Sequence, residues 1–230
     1  MSRSSEAINQ LIHILDERGW SATTVDDLAK EAGISRATFF RVYGSKEDLV
    51  FADHEEMIER LEAFLERTDH DIASAMREGL ALVFRYHLED EGRTLARHRL
   101  LKQSTQLRNR ELLTSHTYER IFRHWLRRRL GPGLAAEPVA VSLSGAAVAL
   151  HNAFLRKWLA EPSPGVLSEF TAEAKKLIHV VLSGYELEGK LRSSAGVKGP
   201  HAVVALVGES ADTEEICEAV RSALNHSRGE

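Results

Sequence analysis

Apolar side chains recur at helical spacing through the first 131 residues of the chain. Ile8, Leu11, Ile12 and Leu15 follow one another at intervals of one to three positions, and a similar pattern returns near Leu80. This spacing is typical of an amphipathic α-helix. Proline, which interrupts helix interiors, is absent from these 131 residues. The pattern therefore predicts an all-α fold here.

Loops that contain proline divide the second half of the chain. The segments GPGLAAEP and EPSPG flank a predicted helix over residues 139–159, and another is predicted over 166–185. Residues 189–200 are rich in Gly and Ser, which favours a linker. Residues 203–207 then have the β-branched character of a strand, and Thr213 is a suitable helix N-cap. We expect a short C-terminal strand-helix extension on an all-α body.

The first fifty residues predict three short helices and the start of a fourth. The first is expected to stop at Gly19. The second begins after Thr24, and Asp27 completes a capping box with it. The third begins at Ser35, two residues after Gly33. A helix, a tight turn that contains glycine, and a second helix form the helix-turn-helix pattern.

The third helix carries side chains that suit contacts with base edges and phosphates. These donor-rich side chains are Ser35, Arg36, Thr38 and Arg41. Ser45 is expected to cap the fourth helix, with Lys46 in its first turn. A cation beside a helix N-terminus forms an anion site, which here would bind a DNA phosphate. On the pattern alone, an ordinary three-helix bundle with surface charges remains an alternative.

The run TTVDDLAKEAGISRATFFRVYGSKEDLV resembles the DNA-binding signature of the TetR/AcrR family of transcriptional regulators. The similarity covers roughly residues 7–49. It implies that Thr24 and Lys46 contact phosphates. It also implies that the surface that contacts the DNA bases contains, or lies next to, five residues: Arg36, Ala37, Thr38, Arg41 and Tyr43. Phe40 and Val42 depart from the commoner family pattern. Phe40 stands where a tyrosine is usual, so a hydroxyl contact to the DNA backbone is lost there.

The resemblance also implies the organisation of the whole chain. Residues 1–50 would form the helix-turn-helix domain, residues 51–188 a helical effector-binding and dimerisation domain, and residues 189–230 the linker and tail. A cytoplasmic homodimer would bind double-stranded operator DNA as a repressor and release it when a small molecule binds the helical domain. Small side chains in residues 141–155 agree with this, because they permit close helix approach in a four-helix interface with 166–185.

A ligand in the helical domain would need a rigid connection to the recognition helix. We call residues 45–66 the lever helix, because they are predicted as one helix roughly 30 Å long that links the two domains.

Aromatic and imidazole side chains on apolar helix faces are the candidates for the effector pocket. They are Phe84, His87, Phe122, Trp125, His151, Phe154 and Trp158, with His98 as a further candidate. Each is alternatively an ordinary core residue. From Arg93 to Arg129, eleven Lys and Arg residues stand against two acids. This run predicts a solvated basic face, or one that attracts an anionic effector or flanking DNA. The effector is therefore expected to be anionic or apolar.

Composition narrows the class of protein. Hydrophobic residues at 43% and charged residues at 28% are typical of a soluble globular chain, and the net charge of −4 excludes a basic nucleic-acid coat protein. The single cysteine, Cys217, excludes a disulfide framework. The first residues, MSRSSEAINQ, are polar, so no signal peptide is expected there, and the longest apolar stretch, residues 146–155, is expected to be too short to cross a membrane.

Other functional classes have little support in the sequence. The histidines lack the spacing of metal ligands, so no metal or other cofactor is expected. Neither a GxSxG motif nor a phosphate-binding loop occurs, so an enzyme is not expected. The alternative to a regulator is a helical adaptor or dimerisation protein without DNA contact.

Overall fold

The structure is a computed structural model that describes residues 5–133 and 136–194, with side chains in residues 6–133 and 136–185. Within these residues the secondary structure is α-helical, as predicted. The helices are α1 (Ser5–Arg18), α2 (Val25–Glu31), α3 (Arg36–Tyr43), α4 (Lys46–Val50), α5 (Ala52–Arg67), α6 (Ile72–Glu89), α7 (Glu91–Gln103), α8 (Thr105–Leu130), α9 (Ala136–Ala160) and α10 (Val166–Ser194). The predicted strand at 203–207 and the helix after Thr213 lie outside the described residues.

Local side-chain signals set the beginnings of the short N-terminal helices. Thr24 and Asp27 form the predicted capping box at α2. The Ser35 hydroxyl accepts a hydrogen bond from the backbone N–H of Thr38 at 3.1 Å and so caps α3. Ser45 caps α4 in the same way. Each cap satisfies backbone donors that the first helical turn leaves without a partner.

The core of the N-terminal helices extends beyond residue 50. Leu15, Leu28 and Phe39 are buried in one cluster with Leu100 of α7 and Leu107 of α8. α1 packs along α7 more extensively than along any of its sequence neighbours. The helix-turn-helix segment therefore rests on α7 as a part of its own core.

The sequence predicts the lever helix as one continuous element, and this prediction is wrong. α4 ends at Val50 and α5 begins at Ala52, with Phe51 at φ −114° and ψ 8° between them. The backbone N–H of His54 donates to the Phe51 carbonyl at 3.0 Å rather than continuing the regular ladder. The Val50 carbonyl instead accepts a hydrogen bond from Arg97 Nε at 2.8 Å. A side chain from α7 thus satisfies the backbone at the break.

The second core lies among α5 to α10. Its largest buried side chains include Phe84, Phe122, Trp158 and Phe170. α8 and α9 form the most extensive helix pair in this region. One compact unit ends at Leu182. α10 continues to Ser194, so the prediction of a linker is wrong for residues 189–194.

Helix α9 is apolar along much of its length. It spans 25 residues, so it is longer than the apolar stretch recognised in the sequence, and by length and composition it could cross a membrane. Core helices of soluble proteins meet the same criterion. Leu143, Ala147 and Trp158 pack into the second core, which accounts for part of the apolar composition.

Candidate functional site

A tight turn fixes α2 against α3. Gly33 has φ +65°, a backbone conformation that glycine adopts without a steric penalty. The backbone N–H of Ile34 donates to the Ala29 carbonyl at 2.9 Å and closes the turn. Leu28 and Phe39 are fully buried behind it. The turn therefore holds α3 with its opposite face in solvent.

Most of the predicted DNA-contact residues lie on this exposed surface. The exposed ones are Thr24, Ser35, Arg36, Ala37, Phe40 and Arg41, and Thr38 is half-buried. The Arg36 guanidinium pairs with Asp26 at 2.8 Å and lies 5.4 Å from the centre of the Phe40 ring. Exposed ion pairs contribute little to stability, so Arg36 can exchange Asp26 for another anion at small cost.

Two predicted contact residues are placed differently. Tyr43 is buried, with its ring 5.0 Å from that of Phe39, so it lies on the inner side of α3. Lys46 is half-buried: its Nζ donates to the carbonyls of Trp20 at 2.7 Å and Thr23 at 2.9 Å, and lies 4.0 Å from the Trp20 ring centre. Burial lowers the pKa of Lys46. Because an ammonium has three N–H donors, one is left for an anion.

A cavity of about 70 Å³ lies among α5 to α9. Three of the predicted effector residues line it, namely His87, Phe122 and His151, and so does His98. Its apolar wall includes Leu80, Val83, Val148 and Leu155. Its polar lining includes His54, Arg97, Glu111 and Tyr118. None of these four polar residues is among the pocket residues predicted from the sequence.

The other predicted effector residues lie outside the cavity lining. They are Phe84, Trp125, Phe154 and Trp158. Phe84 is fully buried and stacks on Phe170 with ring centres 4.5 Å apart. Trp125 donates its indole N–H to the Leu65 carbonyl at 2.8 Å. These aromatic side chains fill the core beside the cavity.

A buried charged cluster forms one end of the cavity wall. Arg97 Nη2 donates to both carboxylate oxygens of Asp53 at 2.5 Å. Arg93 Nε lies 3.1 Å from the same carboxylate, although its N–H is not aligned for a hydrogen bond. Burial alone would raise the pKa of Asp53, but the two guanidinium groups, Arg97 foremost, hold it below its usual range. Two buried cations therefore share one buried carboxylate.

A hydrogen-bonded relay connects this cluster to Tyr118. Arg97 Nη1 lies 3.2 Å from His54 Nε2, and His54 Nδ1 lies 3.0 Å from the Tyr118 hydroxyl. A guanidinium only donates, so His54 Nε2 accepts and His54 Nδ1 carries the proton. The Tyr118 oxygen therefore accepts from His54, and its own O–H remains a donor. Burial raises the pKa of Tyr118, so the phenol stays protonated.

Three neutral imidazoles line the cavity next to one another. The ring centres of His54 and His87 are 5.7 Å apart, and those of His87 and His151 are 5.4 Å apart. Burial lowers the pKa of His54 to about 3 and that of His151 to about 4, and it holds the pKa of His87 well below its usual value. Two buried ring nitrogens, His87 Nδ1 and His151 Nε2, have no hydrogen-bond partner. In the described part of the chain, no group of three or more His, Cys, Asp or Glu side chains could hold a metal ion.

The basic run that begins at Arg93 is not entirely a solvated face. Arg93 and Arg97 are almost fully buried. A signal for this was present in the sequence, because both lie at helical spacing with Ala96 and Leu100 and so share their apolar face. An arginine at a core position of an amphipathic helix requires a buried partner, which here is Asp53.

Residues 9–52 match the family model of bacterial regulatory proteins of the tetR family, which confirms the resemblance noted in the sequence. A transcriptional regulator named for mycofactocin biosynthesis, MftR of Mycobacterium tuberculosis, is 26% identical over 152 residues, covering 63% of this chain and 76% of that protein. The fatty acid metabolism regulator protein of Bacillus subtilis is 29% identical over 84 residues, covering 36% of this chain and 42% of that protein.

Solved structures share the fold. The transcriptional regulator FadR from Bacillus subtilis, in complex with stearoyl-CoA, aligns with a TM-score of 0.55 at 18% identity and covers 79% of this chain and 99% of that one. NalD, a secondary repressor of the MexAB-OprM multidrug efflux pump in Pseudomonas aeruginosa, aligns with a TM-score of 0.53 at 19% identity, covering 78% and 95%.

Proposed function

Residues 9–52 carry the DNA-binding region of the tetR family, and from this premise we propose that the chain is a sequence-specific, ligand-responsive repressor that acts as a homodimer. The observation that carries the proposal is the exposed face of α3, held by the capped turn at Gly33. The curated relatives are named as regulators, which supports the same class of activity.

The proposed DNA contacts divide into two kinds. Arg36, Ala37, Phe40 and Arg41 would enter the major groove, where arginine pairs with guanine edges and apolar side chains contact thymine methyl groups. Thr24, Ser35, Thr38 and the remaining N–H of Lys46 would bind phosphates on either side. Tyr43, being buried, would support the helix from behind. The four phosphate contacts would position the helix and carry no sequence information.

The test of DNA binding begins with duplexes selected from a random pool. Arg36→Ala should lower operator affinity by about 1–3 kcal/mol and relax the base preference at one position. Lys46→Met keeps the apolar stem beside Trp20 and should reduce the salt slope by about one unit. Arg60→Ala, an exposed arginine on α5, is the matched control and should change neither quantity. Selection that yields no preferred sequence would refute specific recognition and leave the adaptor alternative.

A dimer is proposed because one recognition helix reads too few base pairs for useful specificity. Two copies of α3 must lie about 34 Å apart to meet successive turns of the major groove. The exposed face of α9 supports a contact with α9 of a second chain. Val141, Ala149 and Ala153 are exposed there, at least one helical turn apart, and each side chain is small and apolar. Val180 on α10 is also exposed, at 67%.

The proposed ligand response runs through Arg97, which lines the cavity and also bonds to the end of α4. Its Nε holds the Val50 carbonyl at 2.8 Å, and its Nη1 contacts His54 in the cavity wall. A ligand that moves the wall would weaken the anchor of α4 and favour a dimer with the wrong spacing of recognition helices.

Arg97→Gln tests this route without a ligand, since Asp53 keeps Arg93 as a partner. We expect lower operator affinity with unchanged helical content by circular dichroism. Wild-type affinity together with a wild-type salt slope would exclude Arg97 as the connection. Lys102→Gln, which removes an exposed cation from the same helix, is the control.

A further inference from the structure

The cavity lining contains one hydrogen-bond donor and one acceptor that have no partner in the described residues. The Tyr118 O–H is a donor, because His54 Nδ1 already donates to the Tyr118 oxygen. Among the described residues no acceptor for that O–H is found. His151 Nε2 is an acceptor, because His151 Nδ1 lies 3.3 Å from Asn152 Oδ1 and carries the ring proton toward it. His151 Nε2 is buried and has no partner.

The tautomer of His54 is fixed by a neighbouring group of known polarity, and that of His151 follows from the orientation of the Asn152 amide. Arg97 can only donate, which determines the tautomer of His54. Asn152 Nδ2 donates to the Ser115 hydroxyl at 3.3 Å, which leaves its Oδ1 facing His151. Three other hydroxyl groups belong to the lining. Those of Thr94 and Thr114 donate to backbone carbonyls at 2.8 and 3.1 Å and are therefore not donors to an occupant, whereas that of Ser115 accepts from Asn152 and keeps its own O–H.

The formal charge of the cavity wall and of the cluster behind it is balanced. Arg93 and Arg97 carry two positive charges, and Asp53 together with Glu111 at the exposed edge carries two negative ones. The cations Lys102, Arg108 and Arg156 line the groove outside. The imidazoles of His54, His87 and His151 are neutral at physiological pH because they are buried. An ionised ligand would thus enter an apolar space without a compensating charge, which is costly. An uncharged ligand avoids this cost.

The size of the space limits what fits without moving the wall. One water needs roughly 10–15 Å³ on this measure. A volume of about 70 Å³ therefore holds roughly five to seven non-hydrogen atoms. The cavity opens into a surface groove, with which it shares Leu155 and Leu159. A larger ligand can therefore extend from the cavity into this groove.

We propose that the cavity binds an uncharged apolar molecule through a hydroxyl group, which accepts a hydrogen bond from Tyr118 and donates one to His151 Nε2. This inference rests on the effector role proposed above and names the chemistry of that effector. A hydroxyl satisfies both protein groups at once. A ketone satisfies only Tyr118, and a carboxylate brings a charge and has no proton for His151.

Three probes with the same number of non-hydrogen atoms separate these alternatives: cyclohexanol, cyclohexanone and cyclobutanecarboxylate. Calorimetry on the full chain should give the tightest binding for cyclohexanol, about tenfold tighter than cyclohexanone, because one hydrogen bond is lost. The carboxylate should bind more weakly than either. Tighter binding of the carboxylate, or equal binding of alcohol and ketone, would overturn the proposal, as would no binding of any probe.

Two variants identify the partners. Tyr118→Phe should weaken both cyclohexanol and cyclohexanone about tenfold, whereas His151→Phe should weaken only cyclohexanol. His116→Gln, an exposed histidine on the same helix as Tyr118, is the control and should change neither. The comparison of probes on the wild-type chain keeps the proposal testable if a variant fails to fold.

The DNA assay distinguishes a failure of this inference from a failure of the proposed function. A chain that binds a preferred duplex but shows no preference for cyclohexanol refutes the ligand chemistry alone. A chain that prefers cyclohexanol but selects no duplex supports the ligand chemistry and refutes the regulator.

Discussion

Acidification should destabilise this fold through the three histidines of the cavity. His54, His87 and His151 are buried and neutral and lie next to one another, and His54 contacts the cation Arg97. Protonating any of them in place would bury a further positive charge. We therefore expect the free energy of unfolding to fall between about pH 7.5 and about pH 5.5.

The magnitude follows from the difference between folded and unfolded pKa values. A histidine in the unfolded chain has a pKa near 6.5, so at about pH 5.5 roughly nine in ten are protonated. The folded pKa values are depressed, to about 3 for His54 and about 4 for His151, with His87 well below its usual value. The unfolded state therefore binds more protons, and stability decreases as the pH falls below 6.5. Each histidine costs about 1.4 kcal/mol over this interval, or about 4 kcal/mol for all three.

Other titrating groups change this value little. Burial also lowers the pKa of His98, which acts in the same direction. Burial raises the pKa of Glu111. The folded chain therefore binds this proton more readily than the unfolded chain, which offsets part of the loss of stability near pH 5.5. The pKa of Asp53 is lower in the folded chain than its unfolded value near 3.9, so its ionised form stabilises the fold above about pH 3.9. This stabilisation is lost only at lower pH, outside the interval.

The assay is urea unfolding at both pH values and one fixed protein concentration, because dimerisation would add a concentration-dependent term. His87→Phe removes one of the three sites, together with a ring nitrogen that has no partner. Its loss of stability on acidification should be about one third smaller, near 2.7 kcal/mol. His116→Gln changes an exposed histidine and should retain the full loss.

Two results would contradict the reasoning. One is an unfolding free energy that does not change between the two pH values. The other is a His87→Phe variant with the same pH dependence as the wild type, since the buried neutral state of His87 would then be wrong.

Three further substitutions test separate features. Ala149→Glu should convert a dimer to a monomer in sedimentation experiments, whereas Ala160→Glu at the end of α9 should not; a monomeric wild type would contradict the proposed interface. Ser45→Ala removes the cap of α4 and should cost about 1 kcal/mol in urea unfolding, against no change for the exposed Ser168→Ala. Phe170→Ala leaves a void beside Phe84 and should cost about 3–5 kcal/mol; a loss below 1 kcal/mol would show that the site collapses.

The helix-turn-helix region is predictable from sequence because its signals are local. Thr24, Ser35 and Ser45 each cap a helix through a backbone donor three residues ahead, and Gly33 supplies the turn. Such short-range contacts depend on a few neighbouring residues. The predicted caps therefore appear where the sequence analysis put them.

The break at Phe51 is not predictable in the same way. Acidic and apolar positions continue at helical spacing from α4 into α5. The group that satisfies the Val50 carbonyl is Arg97, 47 residues further along the chain. Periodicity describes which face of a helix is buried and contains no information about a distant hydrogen-bond donor.

The cavity is predicted only in part for a related reason. His87 and Phe122 lie on apolar helix faces and line it, but Phe84 lies on an apolar face of the same helix as His87 and fills the core instead. Burial of an aromatic residue can be inferred from its spacing. Whether it meets another side chain or an open space depends on how the helices cross.

The packing of α1 against α7 has a consequence for the exchange of parts between regulators. A chimera that joins residues 1–50 of this chain to another body would remove Leu100 of α7 and Leu107 of α8 from the cluster that contains Leu15 and Phe39. A mismatch there would leave apolar area in water, at about 25 cal/mol for each Å². Successful transplantation of the recognition specificity therefore requires either the α7 surface as part of the graft, or a substitution confined to the solvent-facing residues of α3.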